Sequence, residues 1–331
     1  MAIKRSMAAP LIPEEVQKEI VQSMPEYSTV MRLGKRAPNM SRKQKRIPCL
    51  SVLPTAYFSN PGPKNLDETA QWKKQTRAEW ENKWLDAEEL NCIVAIPEAV
   101  FEDADYDIWE EVKPRLLEAF GIAFDAAVFY GTNAPVVWPN AIVTAAIAAG
   151  NWVTLGSVIN PITNTNDIYD DILGIGGVIS KVEEDGFMVN GHIADMTMRS
   201  RLRGLRDSVN NPIFKALYKE GVQGNTIYSL DGAPCNFPRN GVMNPATSLL
   251  ISGDWTQLMY AIRKDVTWKM LDQAVIQDPD TEEIVYNLAQ QDMIALRGCM
   301  RLAWQVPNPI NRVNEDEDTR YPFGVLLPTG S

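Results

Sequence analysis

His192 is the one histidine of the chain, and an imidazole is the side chain best suited to moving a proton near neutral pH. It stands in Val189-Asn190-Gly191-His192-Ile193, with no second histidine to share a metal and no Gly-x-Ser-x-Gly elbow around a nearby serine. That setting fits a structural or surface role rather than catalysis. Gly174-Ile175-Gly176-Gly177 looks like a phosphate-cradling loop, yet it lies inside a helical pattern, with no Gly-Lys-[Ser/Thr] ending and no strand before it. The carboxylates of Glu102-Asp103-Ala104-Asp105-Tyr106-Asp107 would do acid/base work only by converging in a cleft; at a helix start they serve as capping charges. Asp278-Pro279-Asp280-Thr281-Glu282-Glu283 lacks the spacing and glycine of a calcium loop and reads as a solvated turn. Cys49, Cys92, Cys235 and Cys299 are far apart and form no Cys-x-x-Cys pair, which argues for free, mostly buried thiols and against zinc or disulfides. No catalytic, cofactor-binding or metal-ligating set emerges, and the expectation is a protein that is not an enzyme.

The elements that would carry these residues follow from hydrophobic spacing. Leu90, Cys92, Val94 and Ile96 alternate with polar or small residues, the period of a strand. From Asp105 to Tyr130, Trp109, Val112, Leu116, Phe120, Ala123 and Ala127 recur by threes and fours, predicting a helix of roughly 39 Å closed by Gly131. Pro114 cannot donate to the carbonyl of Glu110, so this spine should bend or begin afresh there. Residues 132–165 read as a Gly/Pro/Asn-punctuated segment. Asp167 caps a second helix with Ile168, Ile172, Ile175, Ile179 and Val182, weakened by Gly174, Gly176 and Gly177 and ended by Gly186. Phe187 to Val189 reads as a buried strand, and Asp195 to Arg206 as a third helix with a basic face of Arg199, Arg201, Arg203 and Arg206. The last third is strand-rich: Ser248 to Ser252, Leu258 to Trp268, and a long strand placing Ile294, Leu296, Gly298, Met300, Leu302, Trp304 and Val306 on one face. Its other face carries Ala295, Arg297, Cys299, Arg301, Ala303 and Gln305. Long helix and long strands make an elongated α+β fold without an internal repeat.

Composition bounds the class. The 331 residues are 45% hydrophobic and 22% charged, enough for a packed core, and nothing at the start resembles a signal peptide or a membrane span. The net charge of −10 argues against nucleic-acid binding as the main activity. The charge is uneven, however. Between Glu26 and Asp67 no acidic residue occurs, while Arg32, Lys35, Arg36, Arg42, Lys43, Lys45, Arg46 and Lys64 do; Glu315-Asp316-Glu317-Asp318 form an acidic run near the end. Residues 1 to about 48 read as an extended arm, with one helical stretch from Glu14 to Ser23, that needs a neighbour for order. A strand-like piece from Ile47 to Phe58 and the breaker cluster Ser59-Asn60-Pro61-Gly62-Pro63 follow. Residues 64–86 are hydrophilic yet carry Trp72, Trp80 and Trp84. They are either a projection whose aromatics are buried by something else, or an amphipathic helix docking on its own core.

Several stretches, in order over residues 50–310, resemble the tailed-bacteriophage major capsid proteins of the Hong Kong ninety-seven-type fold. They are Trp80 and Leu85-Asp86-Ala87-Glu88-Glu89-Leu90 into Ile93-Val94-Ala95-Ile96-Pro97 and Phe101-Glu102-Asp103; Leu117-Glu118-Ala119-Phe120 and Phe124-Asp125-Ala126-Ala127 to Gly131; Arg201-Leu202-Arg203-Gly204-Leu205-Arg206-Asp207-Ser208; Ile251-Ser252-Gly253-Asp254-Trp255 with Ala261-Ile262-Arg263-Lys264-Asp265-Val266-Thr267; and Asn287-Leu288, then Gln291-Asp292-Met293-Ile294-Ala295-Leu296-Arg297 to Val306-Pro307-Asn308-Pro309. The resemblance implies an N-terminal arm (1–48), an extended-loop hairpin with the first peripheral strands (49–96), a spine helix (97–134), an axial domain (135–257), a peripheral sheet and loop (258–310) and a C-terminal tail (311–331).

It also implies a self-assembling coat subunit, in pentamers and hexamers of an icosahedral head around double-stranded DNA, found in the virion and in the host cytoplasm before assembly, with no cofactor and no membrane. Trp72, Trp80, Trp84, Arg297 and Arg301 become candidate assembly-interface residues. Arg32, Lys35, Arg36, Arg42, Lys43, Lys45 and Arg46 become the basic arm on the inner surface, touching packaged DNA non-specifically, and Pro114 a candidate bend point when the shell rearranges. The family's internal scaffolding stretch is missing, so scaffolding is a separate protein or the chain is already processed; a retained Met1 favours the former. A portal and a decoration protein are further implied partners. Lys73, Lys74 and Asn287 lie where some relatives crosslink, but no motif match supports that bond here. An encapsulin-like bacterial compartment shares the fold and is the first alternative; a soluble α+β enzyme is the alternative from another class.

Overall fold

A computed structural model describes residues 28–56, 76–103, 108–161, 164, 166–205, 214–218, 226–278 and 281–329. In chain order the first half holds α1 (Thr29–Leu33), β1 (Lys35–Arg36), β2 (Gln44–Val52), β3 (Glu79–Asp86), β4 (Glu88–Pro97), α2 (Glu98–Asp103), α3 (Ile108–Tyr130), α4 (Ile142–Ala149) and β5 (Trp152–Thr154). The second half holds α5 (Ile168–Leu173), α6 (Val178–Glu184), β6 (Gly191–Ala194), α7 (Met196–Gly204), β7 (Lys215–Tyr218), β8 (Thr226–Leu230), β9 (Ala233–Asn236), β10 (Leu250–Gly253), β11 (Met259–Leu271), β12 (Val275–Gln277), β13 (Ile284–Asn287), β14 (Met293–Gln305) and β15 (Phe323–Leu327). Among the described residues no helix is long and apolar enough to cross a membrane.

Two sheets organise these elements. One has the order β1-β11-β14-β4 and the other β5-β15-β10-β6-β9-β8-β7, while β2-β3 and β12-β13 form separate hairpins. The 13-residue strands β11 and β14 pair antiparallel, and at about 3.4 Å per residue each reaches roughly 44 Å. Helix α3 ties the two sheets together. Its Leu117, Phe120, Phe124, Val128 and Phe129 share one buried cluster with Met300, Leu302 and Trp304 of β14 and with Ile193, Ile251, Phe323 and Val325 of the seven-stranded sheet. Nearer its start, Trp109 and Leu116 pack on Leu296. The long alternation of β14 is found as the sequence predicts and its apolar face meets this helix, but Ala303 on the opposite face is also fully buried, under Leu85, Ala87, Ala37 and Met40.

Several expectations need correction. The spine begins at Ile108 and runs unbroken through Pro114, with Glu98–Asp103 a separate helix. Pro114 removes one backbone bond near the helix start, but Trp109 and Leu116 on either side of it are buried, and that packing outweighs the loss. Asp103 therefore closes a helix instead of opening one; Asp105 and Asp107 lie outside the described residues. The second helix is two, α5 and α6, and Ile175 between them is exposed. A side chain at Gly174 would stand 2.5 Å from the carbonyl oxygen of Asp170, so the chain turns there. The punctuated stretch 132–165 contains α4 and β5. No strand forms at 187–189, where Met188 is exposed; the strand begins at Gly191.

The largest correction concerns the tail. Phe323–Leu327 is a fully buried strand between β5, parallel, and β10, antiparallel. Both its faces meet core, Phe323, Val325 and Leu327 on one side and Leu326 on the other, and a continuous apolar run is what such a strand requires. The helix expected from Asp195 to Arg206 is found as α7, ending at Gly204 with Asp195 as its cap, and Arg206 lies outside the described residues; Asp167 caps α5, and Gly131 takes φ +72° beyond α3. The helical stretch from Glu14 to Ser23 lies outside the described residues.

Buried polar groups fasten what regular structure leaves loose. Asp125, fully buried in the last third of α3, accepts from Ser28 Oγ at 2.6 Å, Thr29 N–H at 2.6 Å and Val30 N–H at 3.2 Å, pinning α1 to the spine. Burial, opposed by these donors, raises its pKa to about 6. His192 bridges strands: Nε2–H donates to the Leu230 carbonyl at 3.1 Å, which leaves Nδ1, 2.8 Å from Ser252 Oγ, to accept. Burial, opposed by Leu230 and Asp231, lowers its pKa to about 4. The four cysteines are free.

Two outcomes test this packing. A Cβ at Gly298 would lie 2.6 Å from the Trp268 ring and 3.0 Å from Cys92 Sγ, so Gly298→Ala should destabilise by about 1–3 kcal/mol in thermal melts. For His192 the unfolded chain takes a proton near 6.5 and the folded chain only near 4, so stability present above pH 6.5 is lost as pH falls toward 4. Urea unfolding at both pH values should show the parent chain losing roughly 3 kcal/mol more than His192→Gln. Asp125 shifts in the opposite sense and is common to both chains, so it cancels in the comparison.

Candidate functional site

The residues left over after the core is built lie on three surfaces. The first is the β2-β3 hairpin. Trp84 pairs across it with Arg46, Asn82 with Pro48 and Trp80 with Leu50, which puts these six side chains on one face. The alternate residue Leu85 turns inward and is fully buried. On the outer face Trp80 is 70% and Trp84 47% exposed, so two of the largest apolar side chains stand in water beside a cation. This segment is a strand, which rules out the helix for residues 79–86; Trp72 lies outside the described residues, as do Lys64, Lys73, Lys74 and the breaker cluster.

The second surface is the β12-β13 hairpin, where Val275, Ile284, Val285 and Tyr286 are exposed. The sequence reading missed it, although Ile284 and Val285 follow directly on the polar turn. Pro279 and Asp280 of that turn lie outside the described residues; Asp278 accepts from Thr281 N–H at 3.1 Å. Its signal was an apolar run too short to assign.

The third surface is the open face of the four-stranded sheet. Arg297 and Arg301 are both drawn to Glu89 on β4, with Arg301 Nη2 at 2.7 Å and Arg297 Nη2 at 3.4 Å. The Cys299 thiol at 3.1 Å and Arg301 hold the Glu89 carboxyl well below its usual range, at about 2. Exposed Lys264 lies across from Arg301 and Lys269 from Arg297. Four cations and one carboxylate leave a net positive face on an acidic chain.

The basic arm is less free than its composition suggests. Ser28, Thr29, Val30, Met31, Ala37 and Met40 are buried on the chain's own body, so residues 28–40 need no neighbour for order; the three donors that Asp125 requires supply the reason. Lys35 and Arg36 pair parallel with Met259 and Tyr260. Arg32 donates to Asn236 Oδ1 at 2.9 Å, Lys43 meets Glu88 at 2.8 Å and Lys45 donates to the Pro38 carbonyl at 3.1 Å. Arg42 and Lys43 line an open notch of roughly 530 Å³ with Gln44, Trp84, Asp86 and Val137. Lys45 and Arg46 belong to the hairpin, so the basic run spans two structural units.

Among the described residues the sequence motifs with chemical potential bring together no group of side chains suited to a reaction. The turn at Gly174–Gly177 sits beside Asp170 and Asp171; Asp171 accepts from the Gly156 and Val158 N–H groups, and Asp170 from Asn160. Carboxylates so placed repel a phosphate. Among the described residues no three His, Cys, Asp or Glu side chains stand close enough to hold a metal.

Comparison with known proteins supplies what surface chemistry alone does not. Residues 8–311 match the phage capsid family. The major capsid protein of Staphylococcus phage 80alpha is 26% identical over 299 residues, covering 88% of this chain and 80% of the relative. Among solved structures, a chain from Microbacterium phage Oxtober96 superposes with a TM-score of 0.72 at 32% identity, over 91% of both chains. One from Mycobacterium phage Bobi does so with 0.73 at 29% identity, over 100% of both. The encapsulin-like compartment and the soluble enzyme are not favoured by these likenesses. A long helix clamped between two sheets, a hairpin with exposed tryptophans and a family match over most of the sequence converge: the chain belongs to the phage capsid family, with its α+β, Hong Kong ninety-seven-type fold.

Proposed function

We propose that this phage capsid protein, a structural component of the virion that associates with copies of itself, builds an icosahedral head from rings of five and six copies around double-stranded DNA. The observation that carries the reading is the outer face of the β2-β3 hairpin, where Trp80 and Trp84 are exposed although the strand's inward side is core. Burying a side chain of that size contributes roughly 2–3 kcal/mol, and closed symmetry repeats the gain in every copy. The hairpin lies across a neighbouring subunit, and the cationic sheet face around Arg297 and Arg301 adds a charged part to the contact. Lys35 and Arg42, with Arg32, Arg36, Lys43 and Lys45 partly engaged, face the packaged DNA, where phosphate neutralisation needs no sequence readout, while Arg46, which shares a face with Trp80 and Trp84, belongs to the subunit contact. On this reading the chain works without catalysis or a cofactor, is held in the host cytoplasm before assembly, and meets a separate scaffolding protein, a portal and a decoration protein. The division into arm (1–48), hairpin with first strands (49–96), spine (97–134), axial (135–257) and peripheral (258–310) parts belongs to the same reading, with residues 323–327 assigned to the axial sheet. Pro114, kept inside a continuous helix, is the point where the spine bends as the shell rearranges.

The double variant Trp80→Ser/Trp84→Ser should change the stability of the unassembled chain by no more than about 0.5 kcal/mol, while negative-stain microscopy and sedimentation show shells replaced by free subunits or small rings. Normal shells from this variant would remove the hairpin from the assembly contact. Replacing Lys35 and Arg42 by Gln should leave shells intact and lower the salt dependence of their DNA retention by about two counterions; an unchanged salt slope would place these residues away from the DNA.

A further inference from the structure

Residues 306–322, which connect β14 to β15, form no strand or helix, yet they touch two distant parts of the chain and are themselves tightly fastened. On one side they hold the β2-β3 hairpin. Lys83 Nζ lies 2.5 Å from Glu317 Oε1, and Arg312 donates to the Pro54 carbonyl. On the other side they hold the end of α6. Asp185, almost fully buried, accepts from Asn314 Nδ2 at 2.8 Å on one oxygen, and from Asn151 Nδ2 at 2.6 Å and Tyr321 N–H at 2.9 Å on the other; its carbonyl accepts from Asn311 Nδ2 at 2.6 Å. Sterics agree with the hydrogen bonds. Gly186 has φ +81°, and a Cβ there would meet Val313 at 2.9 Å and Asn311 at 3.0 Å, so connector and helix end are interlocked.

Within the connector a second buried charge sets its shape. Arg320, 2% exposed, donates through Nη1 to the Asn314 carbonyl at 2.8 Å and through Nη2 to the Asn308 carbonyl at 3.1 Å. Asn308, at φ +47°, returns a bond from Nδ2 to the Arg320 carbonyl at 2.7 Å. Asn314 thus joins two buried charges, its amide on Asp185 and its carbonyl on Arg320. Buried charges are costly to maintain, and a surface connector of this length would close without them. What they add is rigidity: a segment with no ladder of its own is held in one conformation and moves as a unit.

We propose that residues 306–322 are a coupling bar, which transmits a displacement of the β2-β3 hairpin to the seven-stranded lobe at the end of α6, and the reverse. Its purpose rests on the shell reading, because contact with a neighbouring copy is what displaces the hairpin; the coupling itself is a property of the single chain.

Hydrogen exchange with mass spectrometry on the unassembled full chain tests it. Asp185→Asn, at one end of the bar, should speed amide exchange in peptides covering 79–86, at the other end, by about fivefold or more. Glu317→Gln should do the same for peptides covering 178–186, and the double variant should fall short of the product of the two effects. If each substitution loosens only its own end and the effects multiply independently, the coupling bar is overturned and the connector is a local fastening. Should Asp185→Asn fail to fold, Asn314→Ala takes its place, removing the bridge while keeping both charges, and Glu317→Gln, at a half-exposed site, reads the other direction alone. Because no shell enters the measurement, loss of this coupling would leave the assembly reading standing, and failure of the chain to form shells would leave the exchange result intact.

Discussion

The fold depends on one helix having two hydrophobic neighbours at once. Phe120 and Phe124 of α3 lie in the same buried cluster as Met300 and Trp304 on one side and Ile251 and Phe323 on the other. A helix that packed on a single sheet would need one apolar stripe; this one is buried over most of its circumference in its second half, where Val128 and Phe129 are adjacent in sequence and both fully buried. The spine therefore packs against both sheets at once and fastens one to the other.

Buried polar groups do the work at the places where regular structure ends. Asp125 receives the start of α1, Asp185 receives the connector, and His192 links β6 to Ser252 of β10 and to the end of β8. In each case the group is several residues or several strands away from its partners in sequence, and each fixes a segment whose own propensity is weak. Such groups favour one arrangement because every other arrangement leaves them unpaired in the interior.

The surface follows the opposite logic. Trp80, Trp84, Ile284 and Tyr286 remain exposed on hairpins whose other residues are ordered, while the cations Arg297 and Arg301 are drawn to one carboxylate that cannot neutralise both. Under the proposed assembly these are the features that a second copy, not the monomer's own core, would complete. The basic arm contributes less to this unfinished surface than its composition suggests, since much of it is spent on contacts within the chain.

The long elements were legible in the residues alone. Alternation identifies β4 and β14, the three-and-four spacing identifies α3, and Asp167, Asp195 and Gly131 mark helix ends, because these signals are local and repeated many times. The free thiols were readable too, because the four cysteines are far apart in sequence and form no closely spaced pair. What tertiary structure decided is whatever depends on a partner distant in sequence. Nothing near Ser28 announces Asp125, 97 residues on. Nothing in Phe323–Leu327 says that it lies between strands from residues 152 and 250, rather than in a tail. Pro114 reads locally as a break, and the helix passes through it because burial of Trp109 and Leu116 outweighs one missing bond. Trp84 and Leu85 are adjacent apolar residues, and only the pairing register of β3 sends one to solvent and the other to the core.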